Sequence, residues 1–148
     1  MLFSRTTEYA VRALTFLARQ PSGKLCGARE IAQAEQIPMP FLWKILHNLA
    51  RHRLIRSFKG MRGGYELARP NSEITLDTVV FATDGADFRE QCVLGLPRCA
   101  EENACPLHNT WKKIRAEMCS MLETNTLADL TRIARKRAPK KKGKPHRT

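Results

Sequence analysis

The chain has 148 residues, of which 43% are hydrophobic, so it is long enough to bury one core. Its net charge of +12 favours polyanionic partners, nucleic acid above all, without choosing between DNA and RNA. The sequence shows no apolar run for a membrane span and no signal peptide, and its five cysteines without export signals predict a reducing cytoplasm.

The first half of the chain is typical of three short helices followed by a hairpin. Apolar residues recur with helical spacing, and the turn at 36–38 separates the second helix from a third that carries Pro40 in its first turn. The period then changes to that of strands around a turn with three glycines. The predicted elements are helices over 6–19, 28–34 and from near Pro40, and strands over 54–58 and 65–67. This order predicts a winged helix-turn-helix.

The third predicted helix has a polar face opposite its apolar stripe of Leu42, Ile45, Leu46 and Leu49. In a helix-turn-helix the N-terminal part of such a helix enters the major groove, and wing arginines suit the minor groove or a phosphate. The alternatives are a solvated polar face and a plain hairpin turn. The residues expected to contact DNA are Met39, Pro40, Trp43, Lys44, His47 and Arg51 of the helix, and Lys59 and Arg62 of the wing.

The second half begins with a helix over 76–83 that Thr75 caps, followed by an irregular stretch and a long helix from about Pro106. Apolar residues of the long helix repeat every 3.5 residues, namely Leu107, Trp111, Ile114, Met118 and Met121. Such a repeat predicts lengthwise packing on another helix, here in a homodimer, with an intrachain core stripe as the alternative. Thr126 then caps a short helix, and a tail with eight Lys and Arg follows from Arg135.

Three cysteines and a histidine lie within the stretch QCVLGLPRCAEENACPLH, as Cys92, Cys99, Cys105 and His108. Thiolates are soft ligands that suit iron–sulfur clusters or zinc. Cys105 precedes Pro106, which predicts a helix N-terminus whose dipole lowers the pKa of the thiol. The close cysteine pairs of structural zinc sites are missing, and three unrelated thiols are the alternative. Cys26 and Cys119, which lie apart from this stretch, are expected to be small buried hydrophobes.

Four stretches resemble the winged-helix regulator family that includes the iron–sulfur cluster regulator IscR and the nitric-oxide sensor NsrR. They are TTEYAVRAL at 6–14, REIAQAEQIPMPFLWKILHNLARHRLI at 29–55, KGMRGGYELARP at 59–70 and the cysteine segment with Cys105-Pro-Leu-His108. The resemblance covers about residues 1–134 and is specific as a combination.

The resemblance implies a homodimeric cytoplasmic transcription factor that binds an iron–sulfur cluster, 2Fe-2S or 4Fe-4S, through Cys92, Cys99 and Cys105. His108 stands where one branch of the family has a histidine ligand. Glu8 stands where another branch uses a carboxylate from the partner subunit. Six residues separate Cys92 from Cys99 where five is usual, which leaves the cluster type and the branch open.

We therefore expect a mainly α fold with a small β-wing and a long C-terminal dimerisation helix. The expected organisation is a winged helix-turn-helix DNA-binding domain at 1–83, a cysteine-rich cluster-binding loop at 84–106, a dimerisation helix and short helix at 107–134, and a disordered basic tail at 135–148.

The expected function is a transcriptional regulator, most simply a repressor, whose binding to double-stranded DNA responds to nitric oxide, redox or iron–sulfur status. The alternatives are a thiol- or zinc-sensing regulator of the same fold, an iron–sulfur electron-transfer or carrier protein, and an RNA-binding adaptor. The chain has no phosphate loop and no nucleophile elbow, so we do not expect an enzyme.

Overall fold

The computed structural model describes residues 3–96, 99 and 101–137. It is mainly helical with one two-stranded antiparallel sheet, as the sequence predicts. The helices and strands in chain order are α1 (Arg5–Ala18), α2 (Ala28–Glu35), α3 (Met39–Arg51), β1 (Ile55–Phe58), β2 (Gly64–Leu67), α4 (Leu76–Asp84), α5 (His108–Thr124) and α6 (Leu127–Arg137). None of the helices in this part of the chain is both long and apolar enough to cross a membrane.

Capping side chains set where the helices begin. The Ser4 side chain accepts a hydrogen bond from the Thr7 backbone N–H and starts α1. Thr75 does the same for Thr78 at the start of α4, as predicted. Ile74, which precedes this cap residue, and Val79, which follows it by one helical turn, are both fully buried.

The core lies between α1, α2, α3, α4 and the wing. Its largest fully buried side chains include Leu14, Ile31, Leu42, Leu46 and Leu49. The apolar stripe predicted for α3 is thus the side of the helix that faces the core. The polar side of α3 is left outside.

The last helix, α6, returns to this core rather than staying with α5. Leu127 is fully buried in the core and Leu130 packs against it. The backbone N–H of Leu127 donates to the Ile74 carbonyl at 3.0 Å, next to a bridge between Thr75 and Thr126. The short helix, which the sequence analysis grouped with the dimerisation helix over 107–134, therefore packs on the winged helix.

The wing is closed at its base by the chain before α2. Ile55 pairs with Leu67 and Phe58 with Gly64 in the hairpin. Tyr65 also exchanges two backbone hydrogen bonds with Cys26, of 2.8 and 3.0 Å. A bridge beyond the hairpin thus fixes the wing to the helical core.

Two boundaries in the second half differ from the sequence prediction. Helix α5 begins at His108 with Leu107 as its N-cap residue, two residues later than predicted, so Cys105 lies three residues before the first helical residue rather than directly at the helix N-terminus. Helix α6 continues to Arg137, so the first three residues of the tail predicted to be disordered are helical. Residues 138–148 of that tail lie outside the described part.

Candidate nucleic-acid interface and cysteine cluster

The outer face of α3 presents most of the side chains predicted to contact DNA. Trp43 is 53% exposed, which is unusual for an indole with no ligand to cover it. Four other predicted contact residues are also exposed, namely Pro40, Lys44, His47 and Arg51. Met39 differs, because it is half-buried and packs against the core. The helix thus offers a mixed aromatic and basic face to a partner.

The wing turn carries Lys59 and Arg62, both exposed, on either side of a fully exposed Met61. Sequence reasoning missed Met61, although its place between turn glycines marked it as a wing-tip residue. Gly64 has a structural reason: a Cβ there would meet the Cys26 carbonyl oxygen at 2.9 Å. The absence of a side chain at this glycine therefore lets the wing lie against the chain before α2.

An aromatic and cationic cluster on α1 extends the face of α3. Phe41 is 54% exposed, and its ring meets that of Tyr9 edge to face at 6.2 Å. The guanidinium groups of Arg5 and Arg12 lie 5.9 and 5.5 Å from the centre of the Tyr9 ring. These residues were not predicted from the sequence, because Phe41 lies outside the apolar stripe of α3.

Helix α4 lies between α3 and the cysteine segment in the chain and contacts α3. The Asn48 side chain of α3 donates a hydrogen bond to the Ala82 carbonyl of α4. His52, just after α3, meets Phe81 of α4 edge to face. The cysteine segment follows α4 in the chain, so α4 both contacts α3 and leads into that segment.

The predicted cluster ligands form two pairs. The Cys99 Sγ atom lies 3.3 Å from Nδ1 of His108. The side chain of Cys105 lies close enough to the Cys92 thiol to contribute to the lowering of its pKa. Within residues 3–96, 99 and 101–137, no three His, Cys, Asp or Glu side chains already converge as a metal-binding group. The structure brings the predicted ligands together two by two.

The chemistry of these pairs suits a soft metal. Hydrogen bonding from the Leu94 backbone, with smaller contributions from Leu96, Cys105 and Arg115, lowers the pKa of Cys92 and favours its thiolate. His108 is buried, and its Nε2 atom has no hydrogen-bond partner among the described residues. An orphaned imidazole nitrogen beside thiols fits a metal ligand.

Polar contacts hold the cysteine segment against α5. The Gln91 carbonyl accepts hydrogen bonds from the Trp111 indole N–H at 2.8 Å and from Arg115 at 3.3 Å. Lys112 pairs with Glu101 at 2.7 Å, and its N–H donation and charge lower the pKa of that carboxyl. Trp111, which the 3.5-residue repeat assigns to the dimer seam, thus also holds the cysteine segment through its indole N–H.

The other ionisable candidates lie apart from these pairs. Glu8 is half-buried on α1 and forms an ion pair with Arg5 at 3.7 Å. Cys26 is fully buried, as predicted, and burial raises the pKa of its thiol. Cys119, on α5, is only half-buried.

One face of α5 is left uncovered. Ile114 is 45% exposed and Met121 47%, with Leu107 similarly exposed just before the helix. Trp111 and Met118, which complete the predicted seam, are half-buried. The apolar residues of this 3.5-residue repeat are therefore not fully covered by the described part of the same chain, as an intrachain core stripe would require.

The fold defines a winged-helix protein with a cysteine segment between two of its helices. A family model described as Rrf2, Iron-dependent Transcriptional regulator, matches residues 3–133. The chain belongs to the Rrf2 family of transcriptional regulators.

Relatives agree with this assignment. An HTH-type transcriptional regulator of Mycobacterium tuberculosis strain H37Rv is similar, with 43% identity over 88% of this chain and 81% of that protein. The regulator NsrR of Oceanobacillus iheyensis is 30% identical over 88% of this chain and 89% of its own length.

Two solved structures share the fold. CymR, the global cysteine regulator of B. subtilis, matches with a TM-score of 0.77 and 22% identity over 88% of this chain and 96% of its own. IscR of T. potens matches with a TM-score of 0.74 and 22% identity over 94% of this chain and 92% of its own. At this identity the likeness concerns the fold alone.

Proposed function

We propose that this chain is a cytoplasmic, homodimeric repressor whose binding to duplex DNA is controlled by an iron–sulfur cluster. The observation that carries the proposal is the approach of Cys92 to Cys105 and of Cys99 to His108. The members of these pairs are thirteen and nine positions apart in the sequence, and they come together beside the start of α5. Metal binding requires the two pairs to converge further.

Cys92, Cys99 and Cys105 would hold the cluster, and its iron and sulfide would supply the reactivity towards nitric oxide or oxygen. The lowered pKa of Cys92 prepares a thiolate ligand. His108 is our preferred fourth ligand, because its buried Nε2 atom has no partner among the described residues while its Nδ1 atom already contacts Cys99. Glu8 remains the alternative, and it would have to come from the partner subunit.

DNA binding is supported by the exposed faces of α3 and the wing. Trp43, Lys44, His47 and Arg51 share one side of α3, and Arg62 stands on the wing turn. Side chains at these places reach base edges in the major groove and phosphates or the minor groove beside it. Pairing through the exposed face of α5 would present two such modules to a two-fold operator.

The link between the two sites is α4. Cys92 lies eight residues beyond the end of α4, and Ala82 near that end accepts the hydrogen bond from Asn48 on α3. A rearrangement of the cysteine segment would therefore move the support of the recognition helix. This route gives the repressor its response.

Anaerobic purification tests the cluster. The protein should be coloured and contain iron and acid-labile sulfide, and Cys92→Ala, Cys99→Ala or Cys105→Ala should each abolish the colour. Cys119→Ala is the matched control, since this half-buried thiol lies on α5 outside the pairs. Zinc without sulfide, or equal loss of colour in the control, would contradict the proposal.

His108→Ala and Glu8→Ala, made separately under the same conditions, identify the fourth ligand. We expect His108→Ala to shift the visible spectrum or lose the cluster, and Glu8→Ala to leave it intact. The reverse result would assign the ligand to the partner's first helix.

A thiol switch without a cluster is the second candidate, and the contact between Cys92 and Cys105 favours it. A peroxide could oxidise these two thiols to a disulfide, with their two hydrogens and two electrons passing to the peroxide to form water. Intact-mass analysis of metal-free protein would show the loss of two hydrogens, and Cys105→Ser should prevent it.

A further inference from the structure

A groove between the end of α3 and the base of the wing belongs to neither site. We call it the α3–wing groove, and it is lined by Ala50, His52, Arg53, Ile55, Arg56, Ala68 and Arg69. Its volume is about 610 Å³. This lies within the roughly 300–1,000 Å³ of pockets that bind small organic molecules.

Two arginines of the groove carry charge that the described residues do not neutralise. Arg56 pairs with Glu66 across the hairpin at 3.1 Å, but neither Arg53 nor Arg69 has an ion pair within the described part of the chain. The Nε atom of Arg69 is also buried without a hydrogen-bond partner among these residues. A buried guanidinium donor that is left unsatisfied points to an acceptor that comes from outside the chain.

The backbone at Arg53 gives a second, independent indication. Its φ is +57°, in the left-handed region, directly after the end of α3. Glycine is the usual residue at such a helix end, because a side chain costs free energy there. An arginine that is held in this conformation on the wall of a groove indicates that its side chain binds something there, which offsets the cost of the backbone conformation.

The other walls define what accompanies the anionic group. Ala50 and Ala68 contribute aliphatic surface beside the two arginines, whereas Ile55, which also lines the groove, is almost fully buried. A compact, fully hydrated ion gains nothing from such walls, whereas a carboxylate with an apolar body satisfies both kinds of surface. A phosphate of the DNA backbone would share the anionic chemistry, but would leave the apolar walls uncovered.

We propose that the α3–wing groove binds a small organic carboxylate, with the carboxylate group on Arg53 and Arg69 and the apolar body on the aliphatic wall. Because the groove lies between the recognition helix and the wing, its occupancy changes their relative position and hence the affinity for DNA. This regulatory part rests on the proposed function, whereas the binding site does not.

Calorimetric titration of the full chain tests the site directly. The probes are acetate, benzoate and naphthoate, with inorganic phosphate as the compact anion, all at constant ionic strength. We expect affinity to rise with the apolar size of the carboxylate, and phosphate to bind more weakly than naphthoate. Arg53→Gly and Arg69→Met should each weaken naphthoate binding about tenfold, as the loss of a charge-assisted hydrogen bond predicts.

Arg132→Met is the matched control, since Arg132 is exposed on α6 and pairs there with Asp129. It should bind naphthoate as the unmodified chain does. Arg53→Gly relieves the backbone conformation at that position, so it keeps the test decisive even if Arg69→Met fails to fold. Absence of saturable binding, or equal binding by the groove variants, overturns the site. Phosphate binding as tight as that of naphthoate overturns the organic ligand and assigns the groove to the DNA backbone.

Gel shifts with and without saturating naphthoate then test the regulatory part. Operator affinity should change at least about threefold in the unmodified chain and stay constant in Arg53→Gly. Naphthoate binding with no effect on operator affinity overturns the regulation and leaves the site. A chain that binds no DNA at all contradicts the proposed function, and the calorimetry still decides the site.

Discussion

The winged helix and the cysteine segment with α5 differ in how they treat their apolar side chains. In the winged helix Leu14, Leu42 and Leu46 are fully buried. In the cysteine segment Leu94 and Leu96 are about half exposed, and polar contacts such as that of Trp111 to the Gln91 carbonyl hold the chain in place. The first region is stabilised by its own core, while the second relies on polar contacts and leaves apolar surface for a partner or a ligand.

This difference suits a sensor. Regions with few buried apolar contacts open at a lower free energy than the global unfolding of a domain. In the proposed function, the cysteine segment responds to a signal at that low cost, whereas α3 keeps a rigid support. The hydrogen bond of Asn48 to Ala82 lies at the border between the two regions.

Truncating a leucine in each region should give the largest contrast. Leu46→Ala removes a fully buried side chain and should lower the free energy of unfolding by about 2–5 kcal/mol. Leu94→Ala makes the same chemical change at a side chain that is 56% exposed, and should cost below about 0.5 kcal/mol. Urea unfolding of both variants measures the difference. Equal losses would show that the cysteine segment is as well packed as the core.

Sequence reasoning worked best where caps and periodicity act locally. The Thr75 cap, the buried stripe of α3 and the hairpin all depend on neighbours within a few residues. The return of α6 to the core could not be predicted in this way, because an amphipathic helix does not encode which surface will cover it. Leu127 is fully buried, and its backbone N–H donates to the carbonyl of Ile74, which lies far away in the sequence.

The cysteine segment was predictable in composition but not in geometry. Soft ligands near His108 were evident from the sequence, yet their arrangement in two pairs depends on turns that no periodic pattern specifies. Pro106 suggested an earlier start of α5, whereas the backbone first turns so that the N–H of His108 donates to the Cys105 carbonyl at 3.0 Å. Irregular chain follows its tertiary contacts, such as those of Gln91 with α5.

The exposed face of α5 provides the next test, because a partner should complete it. Ile114→Glu places a charge on this face and should weaken dimerisation by at least about 2 kcal/mol, a tens-of-fold effect. Ile114 is a better site than Trp111, whose indole also holds the cysteine segment. Sedimentation across a range of concentrations measures the shift.

Lys113→Glu is the control for this change. Lys113 is the neighbour of Ile114 in the sequence, and its side chain is exposed but lies outside the apolar face. It should leave the dimer intact. A dimer that survives Ile114→Glu would mean that the subunits pair through another surface.

A charge removed from the wing should affect DNA binding alone. Arg62→Ala should lower affinity without changing stability, because this exposed side chain has no packing role. If Arg62 contacts a phosphate, the slope of log affinity against log salt shrinks by about one. If it reads the minor groove, discrimination between sites falls instead. Arg132→Ala, which removes an exposed arginine of α6, is the control and should change neither the salt slope nor the discrimination between sites. If Arg62→Ala leaves both quantities and the affinity unchanged, the wing is not part of the DNA interface.

The smallest effect should come from the cap of α6, the helix that returns to the winged-helix core. The Asp129 carboxylate accepts the Thr126 backbone N–H at 2.9 Å, while the Asp129 N–H donates to the Thr126 hydroxyl at 3.4 Å. The hydrogen bonds from the backbone and hydroxyl of Thr126, with a smaller contribution from Arg132, lower the pKa of Asp129 below its ordinary value of 3.8.

A lowered folded-state pKa gives stability that is fully present above the ordinary value and is lost as pH falls through the folded value. Asp129→Asn should therefore melt slightly below the unmodified chain at neutral pH, and the gap should close as pH falls below 3.8. Thermal melts over this range measure it, with Glu117→Gln on the exposed side of α5 as a control. A gap that persists at low pH would mean that Asp129 acts through its shape rather than its charge. The pH dependence would then have to originate in other carboxylates.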